Sequence, residues 1–327
     1  MDITLKQLEI FQAVVVAGSI TKASRRIGLS QPSISQQLAK LEEKLGSQLI
    51  QRNRTGVISL TPAGEYWFKA GDDLLQCLAG IVDEHNHRFI DSNVLVRMGV
   101  TPTLRGHFAA TAGRIAAEQP GFVKFELRFA LTSAELVEQL RLHQINFAIV
   151  NKEAMEEDRG SFHMADLFGD PLGWIVPTSV PLAEIKQALA RKGQLKGLSS
   201  SLRAYVEVDA SSGLKAQTDE WYRYNLPGAA PAFSTNTYAT AVDLVAEGLA
   251  TTHSPLSLVP SLAGPTRDKV RIFPIEELTR TVVLVMPKHL YTLPSYANVF
   301  RRIVEFCRTH YNREILVGEA TALPLAG

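Results

Sequence analysis

Residues 19–64 read SITKASRRIGLSQPSISQQLAKLEEKLGSQLIQRNRTGVISLTPAG, and the order of signals along them decides the fold of the first domain. Ser19 is placed to cap a short helix ending near Ile27, and Gly28 offers the left-handed φ that closes a helix C-terminus. Ser30 is the next candidate cap, and Pro32 falls in the first turn of a second helix, where a missing N–H costs nothing. Ile34, Leu38, Leu41 and Leu45 recur at helical spacing. They form a buried stripe and leave Ser33, Gln36, Gln37, Lys40 and Lys44 outward. Arg52-Asn53-Arg54-Thr55-Gly56 and then Val57 to Thr61 read as two strands closed by a Thr-Gly turn, and Thr61-Pro62 restarts a helix. Helix, glycine turn, helix, basic hairpin and helix restart, in that order, predict a winged helix-turn-helix. Short polar side chains at the start of its second helix suit base edges in a major groove, and paired wing arginines suit a minor groove or its phosphates.

Charge follows the same boundary. Between Ile20 and Thr61, Lys22, Arg25, Arg26, Lys40, Lys44, Arg52 and Arg54 stand against Glu42 and Glu43, so seven less two leaves +5 in a chain whose total is +1. The basic excess is local, as a nucleic-acid-facing module requires.

The chain resembles the LysR-type transcriptional regulators. The resemblance is carried by Leu5, Leu8 and Phe11, by Gly18-Ser19-Ile20 and Ala23, and by the run from Ile27 through Gly28, Leu29, Ser30, Gln31, Pro32, Ser33 and Ile34 to Ser35. Leu41-Glu42, Leu45-Gly46, Leu49, Arg52 and Leu60-Thr61-Pro62-Ala63-Gly64 complete it. It is dense over about the first 65 residues and rests on scattered features thereafter. It implies a DNA-binding domain, a linker helix that pairs two subunits, and an α/β domain like the periplasmic solute-binding proteins that senses a small molecule. Carried over, Gln31, Ser33, Ser35 and Gln36 lie at the major groove, with Lys40 on the same outward face and Arg52 and Arg54 in the wing.

Bulk properties agree. At 327 residues and 46% hydrophobic content the chain is sized for two or three compact units and is not disordered. No apolar run approaches a membrane span, and the first residues carry neither a basic leader nor an apolar core, so a cytoplasmic location is expected. Cys77 and Cys307 are far apart and lack metal-type spacing, which predicts no zinc site, disulfide scaffold or cofactor.

From Pro62 an apolar stripe of Tyr66, Trp67, Ala70, Leu74, Leu78, Ile81 and Val82 runs to about His87. A helix of this length must bury such a face, and the same helix of a second subunit is the natural partner, so a homodimer on a pseudo-palindromic duplex site is expected. The family resemblance extends this to pairing of dimers as a homotetramer, with RNA polymerase as a further protein partner. His85 and His87, two apart, point to opposed sides and share no metal.

Residues 88–93 read as a polar hinge into a second domain. Strands Val94–Val100, Val123–Phe129 and Phe147–Val150 alternate with helices Leu104–Glu118 and Ser133–Leu142, which predicts an α/β sheet with helices on both faces. Lys124, Glu126 and Arg128 alternate with apolar residues, as on an edge strand. Leu172–Pro177 reads as a strand leaving this lobe and Thr281–Met286 as one returning, enclosing a second α/β lobe. The expected organisation is residues 1–61 for DNA binding, 62–90 for the linker helix and 91–327 for the effector domain, with lobe one at 91–177 and 281–311 and lobe two at 178–280.

Ligands in such folds sit at strand ends against helix N-termini. The candidates are Thr101 and Thr103 after the first strand, Thr132 and Ser133 in an expected capping box with Glu135, Ser211 and Ser212 before a helix from about Leu214, and Asn236 and Thr237 before another. A small ligand bearing a carboxylate or several hydroxyls fits such donors, although every one of these residues also suits plain capping. The family resemblance singles out Thr103 and Thr132. Two departures from the family pattern, Asn146 in place of an acidic residue and the stretch Ala250 to Pro255, point to an unusually polar pocket, with His253 as a contact for an anionic effector. Residues 313–327, rich in Ala and Leu, match no element.

No Ser/His/Asp arrangement, P-loop, GxGxxG after a strand or metal spacing occurs, so the sequence gives no warrant for an enzyme. A redox-sensing or constitutive regulator of the same family is the nearest alternative.

Overall fold

A computed structural model describes residues 3–52, 58–86, 93–157, 160–190, 195–209 and 212–316. It divides into two compact units, residues 1–91 together with 142–144, and the remainder.

In the first unit, α1 (Leu5–Ala17) starts at a capping box in which the Thr4 hydroxyl accepts the Gln7 amide while the Gln7 side chain accepts the Thr4 amide. Helix α2 (Ile20–Ile27) is capped by Ser19 and closed by Gly28 at φ 69°. Helix α3 (Gln31–Leu45) is capped by Ser30, whose hydroxyl accepts the Ser33 amide at 3.3 Å. Ile34, Leu38 and Leu41 are buried against Ile10, Phe11 and Val14 of α1, while Leu45 is half-buried at the edge of that core. Strands β1 (Ile50–Arg52) and β2 (Ile58–Leu60) pair antiparallel, so the arms of the wing are formed. The expected Thr-Gly turn and Arg54 lie outside the described residues. The Glu42 carboxylate accepts the amides of Leu49 at 2.8 Å and Ile50 at 3.2 Å, which fixes the C-terminal half of α3 to the wing. Thr61 caps α4 (Pro62–His85), a helix of 24 residues. His87 and residues 88–92 of the hinge expected at 88–93 are likewise outside the described residues.

The second unit is built on a six-stranded sheet. Strand β3 (Val94–Val100) pairs in parallel with β4 (Phe122–Phe129) at the edge and with β5 (Phe147–Asn151). Two long strands complete the sheet, β6 (Phe162–Pro177) and β10 (Val270–Pro287), with β9 (Thr252–Pro255) outside them in the order β4-β3-β5-β10-β6-β9. Helices α5 (His107–Ala117) and α6 (Ser133–Arg141) follow β3 and β4. The second lobe adds α7 (Leu182–Ala190), β7 (Ala204–Val208), α8 (Ser212–Asn225), β8 (Ala230–Thr235), α9 (Tyr238–Ala246) and the short α10 (Gly264–Arg267), with β7 and β8 parallel. After β10 the chain returns through α11 (Lys288–Tyr291), α12 (Pro294–Phe306) and α13 (Asn312–Leu316). The last of these takes up the start of the stretch that had matched no element.

The strands expected at Leu172–Pro177 and Thr281–Met286 are only parts of β6, 16 residues, and β10, 18 residues. Each passes through both lobes. Phe168, Val282 and Leu284 pack into the first lobe's core, while Trp174, Val176, Phe273 and Ile275 pack into the second's. The two strands are paired from Val270↔Pro177 to Pro287↔Phe162, with a register shift between Ile275 and Thr279 where the cores change over.

One helix start differs from expectation. Thr101-Pro102-Thr103 forms a turn closed by the Leu104 amide on the Thr101 carbonyl at 3.0 Å, and α5 begins only at His107 behind Gly106, whose φ of 61° admits no ordinary helix continuation. The hydroxyls of Thr101 and Thr103 are therefore not caps. They bond to one another at 3.0 Å.

Candidate functional site

Within the first unit, the start of α3 is the readable surface. Gln31 and Gln36 are exposed, Ser33 and Ser35 half-buried, and Lys40 exposed one turn further along. Burial of Ile34, Leu38 and Leu41 on the opposite face leaves these side chains no other orientation. The Thr21 hydroxyl donates to Gln31 Oε1 at 3.4 Å, bringing the start of α2 beside the start of α3. Thr21, Lys22, Arg25 and Arg26 on α2 are exposed too, and of these only the three cations are marked by the sequence's local charge excess. Arg52 lies on β1, and its side chain is not among those described.

Within the second unit, a cavity of about 560 Å³ opens between the lobes. That is an ordinary size for a small-molecule site. Thr101, Thr103, Thr132 and Ser133 line it from the first lobe, and Asn236 and Thr237 from the second. At the α6 start, Thr132 accepts the Glu135 amide at 3.2 Å, but the Glu135 carboxylate takes the amide of Leu131 instead of that of Thr132. Ser133 Oγ accepts the Asn151 amide at 3.0 Å and keeps its proton for another acceptor. Thr237 caps α9 through the Thr240 amide at 3.3 Å. The N-termini of α6 and α9 thus border one cavity, and their first N–H groups give it a positive potential. Ser211 lies outside the described residues and the Ser212 side chain is not described; from α8, Leu214 and Gln217 line the cavity.

Glu153, Glu277, Thr279 and Arg280 line it as well, and sequence reasoning missed all four. Arg280 on β10 donates from Nε at 3.0 Å and Nη2 at 2.7 Å to Asp170 on β6, which is fully buried. Asp170 also accepts the Ser257 amide and hydroxyl, each at 2.8 Å.

His253 is a correction. It does not line the cavity but is buried beneath Trp221 and Tyr222, both edge-on to its ring at 4.6 and 4.7 Å. Neither ring nitrogen has a partner among the described residues, and burial lowers its pKa to about 3, so it is neutral and cannot attract an anion. The pairing of β9 with β6, Trp174↔His253 included, is what turns this stretch inward. Asn146 is a second correction. Its side chain accepts the Arg97 amide and donates to the Leu95 carbonyl, bracing strand ends away from the cavity, whose polarity comes from other residues.

Comparison with known proteins agrees with this geometry. Residues 5–65 match the family described as bacterial regulatory helix-turn-helix protein, lysR family, and residues 93–311 match the LysR substrate binding domain. The chain belongs to the LysR family. As a LysR-type protein it is a DNA-binding transcriptional regulator with an effector-binding domain. Similar curated relatives include a probable RuBisCO transcriptional regulator of Trieres chinensis, 24% identical over 67% of this chain and 69% of that one. The regulator TdcA of Escherichia coli K12 is 29% identical over 50% of this chain, and the match spans 51% of TdcA. CatR of Pseudomonas putida is 26% identical over 78% of this chain and 83% of its own. Among solved structures, full-length CbnR complexed with its target DNA aligns with a TM-score of 0.60 at 18% identity, covering 92% of this chain and all of that one. That likeness shows a shared fold.

The redox alternative finds little chemistry in this LysR-family chain. Cys307 is buried and its thiol is pushed well above the usual range, which suppresses the reactive thiolate, while Cys77 is half-buried on α4. Among the described residues no helix is long and apolar enough to cross a membrane, and no group of three His, Cys, Asp or Glu is placed to hold a metal.

Proposed function

We propose that this LysR-family regulator acts in the cytoplasm as a symmetric dimer that reads a pseudo-palindromic promoter site through α3 and the wing, and that a small polar effector in the interlobe cavity modulates its hold on DNA. In this reading Gln31, Ser33, Ser35 and Gln36 meet base edges, Lys40, Arg52 and Arg54 meet phosphates or the minor groove, and Thr101, Thr103, Thr132, Ser133, Asn236 and Thr237 meet the effector. The observation that carries it is the convergence of hydroxyl groups and two helix N-termini from opposite lobes on one cavity.

Dimerisation is supported by α4, on which Tyr66, Leu74, Leu78, Ile81 and Val82 are all substantially exposed. In such a dimer the second copy of α4 covers them. Pairing of dimers and contact with RNA polymerase belong to the same proposal. An effector shifts DNA binding only through unequal affinity for two arrangements of the protein.

The test is fluorescence anisotropy on labelled promoter duplexes over a range of salt, with and without candidate metabolites. Specific, salt-sensitive affinity that a metabolite alters in the wild type and not in Thr103→Val is the expected result. Indifference of the metabolite response to Thr103→Val removes the cavity from the mechanism.

A further inference from the structure

We infer that the effector is a small monocarboxylate whose other groups are neutral or cationic, and that Arg280 takes its carboxylate. The inference rests on the interlobe cavity being the effector site.

The Asp170 carboxylate is fully engaged, accepting Nε and Nη2 of Arg280 and the amide and hydroxyl of Ser257. A guanidinium has five donors, so Arg280 keeps three, two on Nη1 and one on Nη2. None of the three has an acceptor among the described residues, and Nη1 is not among the buried polar atoms left without a partner. Arg280 lines the cavity, so this remaining edge opens into it. A planar fork held from behind by a buried acid is already oriented for a carboxylate in front, and its ordering cost is met before the ligand arrives.

The rest of the lining restricts what else the ligand can carry. Arg280 is the only cation among the described residues that line the cavity, and Asp170 already balances its charge. Glu153 and Glu277 line the same cavity, both exposed and with no side-chain partner among the described residues. A second carboxylate on the ligand would find no side-chain counter-charge and two like charges, with only the partial charges of the α6 and α9 N-termini to hold it. An ammonium or hydroxyl group would be compensated by Glu153 and Glu277 and by Thr101, Thr132 and Asn236.

The experiment is saturation-transfer NMR on the full-length protein at neutral pH and fixed ionic strength, with butanoate, 4-aminobutanoate, butanedioate and butanamide as probes of one chain length. Butanoate and 4-aminobutanoate are expected to bind roughly tenfold more tightly than butanamide, the worth of a charge-assisted hydrogen-bond pair, and butanedioate no better than butanamide. Arg280→Gln should remove the preference and leave butanamide binding. The double variant Asp170→Asn/Arg280→Gln, which strands no buried charge, should repeat that loss in a chain with the wild-type melting profile. A carboxylate preference that survives both variants, butanedioate binding as well as butanoate, or no binding of any probe overturns the assignment. If Thr103→Val weakens all probes while Arg280→Gln changes nothing, Arg280 is wrong and the cavity stands. Binding untouched by either substitution places the probes elsewhere, and the cavity reading itself fails.

Discussion

Gly64 in the first turn of α4 lies directly against the backbone carbonyl of Leu49, so that an added Cβ would collide with the carbonyl oxygen and carbon. The same carbonyl accepts the Thr61 amide at 3.0 Å, and the Thr61 hydroxyl donates to Gln48 O at 2.6 Å. The wing and the linker helix are thereby locked backbone to backbone. Gly64→Ala has no rotamer through which to escape, and it should cost about 2–3 kcal/mol and lower the melting temperature of the first unit. Calorimetry on the purified variant measures this, and an unshifted transition would refute the close approach.

The two kinds of contact on α3 should separate on mutation. Lys40→Gln removes a phosphate partner and should weaken binding to every sequence alike, lowering the slope of log affinity against log salt by roughly one. Gln36→Ala should leave that slope nearly unchanged while reducing discrimination between promoter and random duplex by about 1–3 kcal/mol. Equal losses from both on both duplexes would mean that the roles are misassigned.

The exposed stripe on α4 gives a prediction about assembly. Leu74 and Leu78, one turn apart and 50% and 38% exposed, can accept Asp without harming the core of an isolated subunit. The Leu74→Asp/Leu78→Asp variant should sediment as a monomer and lose most of its affinity for a two-half-site duplex. A dimer that persists at micromolar concentration places the subunit interface elsewhere.

His253 makes the second unit sensitive to acid. Its pKa falls from the ordinary 6.5 to about 3 on burial, so between these values the unfolded chain binds a proton that the folded chain refuses. The resulting stability is fully present above about pH 6.5 and is lost as pH falls towards 3. At pH 5 the loss is roughly 2 kcal/mol. Urea unfolding over this range should show a steeper pH dependence in the wild type than in His253→Phe, and identical slopes would show that the histidine does not titrate there.

Much of this protein was legible in its sequence because local signals were strong. Ser19, Ser30 and Thr61 cap the helices that their positions before apolar-periodic segments announce, and Gly28 closes α2 with the expected left-handed φ. Tertiary placement was harder to read. Asp170 sits in an apolar run with nothing nearby in sequence to pair with, and its partner is 110 residues away. A lone acid inside an apolar run is the one hint the sequence offers, since a carboxylate buried with such a run demands a cation. His253 misled for the converse reason, because a histidine in a polar-looking stretch gives no sign of whether the strand turns it inward or outward. The hydroxyl content of Thr101-Pro102-Thr103 resembles a helix cap, whereas Gly106 sets the real boundary.

The register-shifted ribbon of β6 and β10 determines how the second lobe can move. Both covalent links to it are strands bonded to one another except at the changeover, where Pro171 and Leu172 of β6 face Thr279 and Ile275 of β10 and residues 276–278 stand outside the register, so bending there is taken up by a bulge. The paired stretches on either side of the bulge form two arms, each packed into the core of its own lobe. A ligand bridging the lobes would therefore bear on this one joint, and the two arms would carry its pull into the body of each lobe.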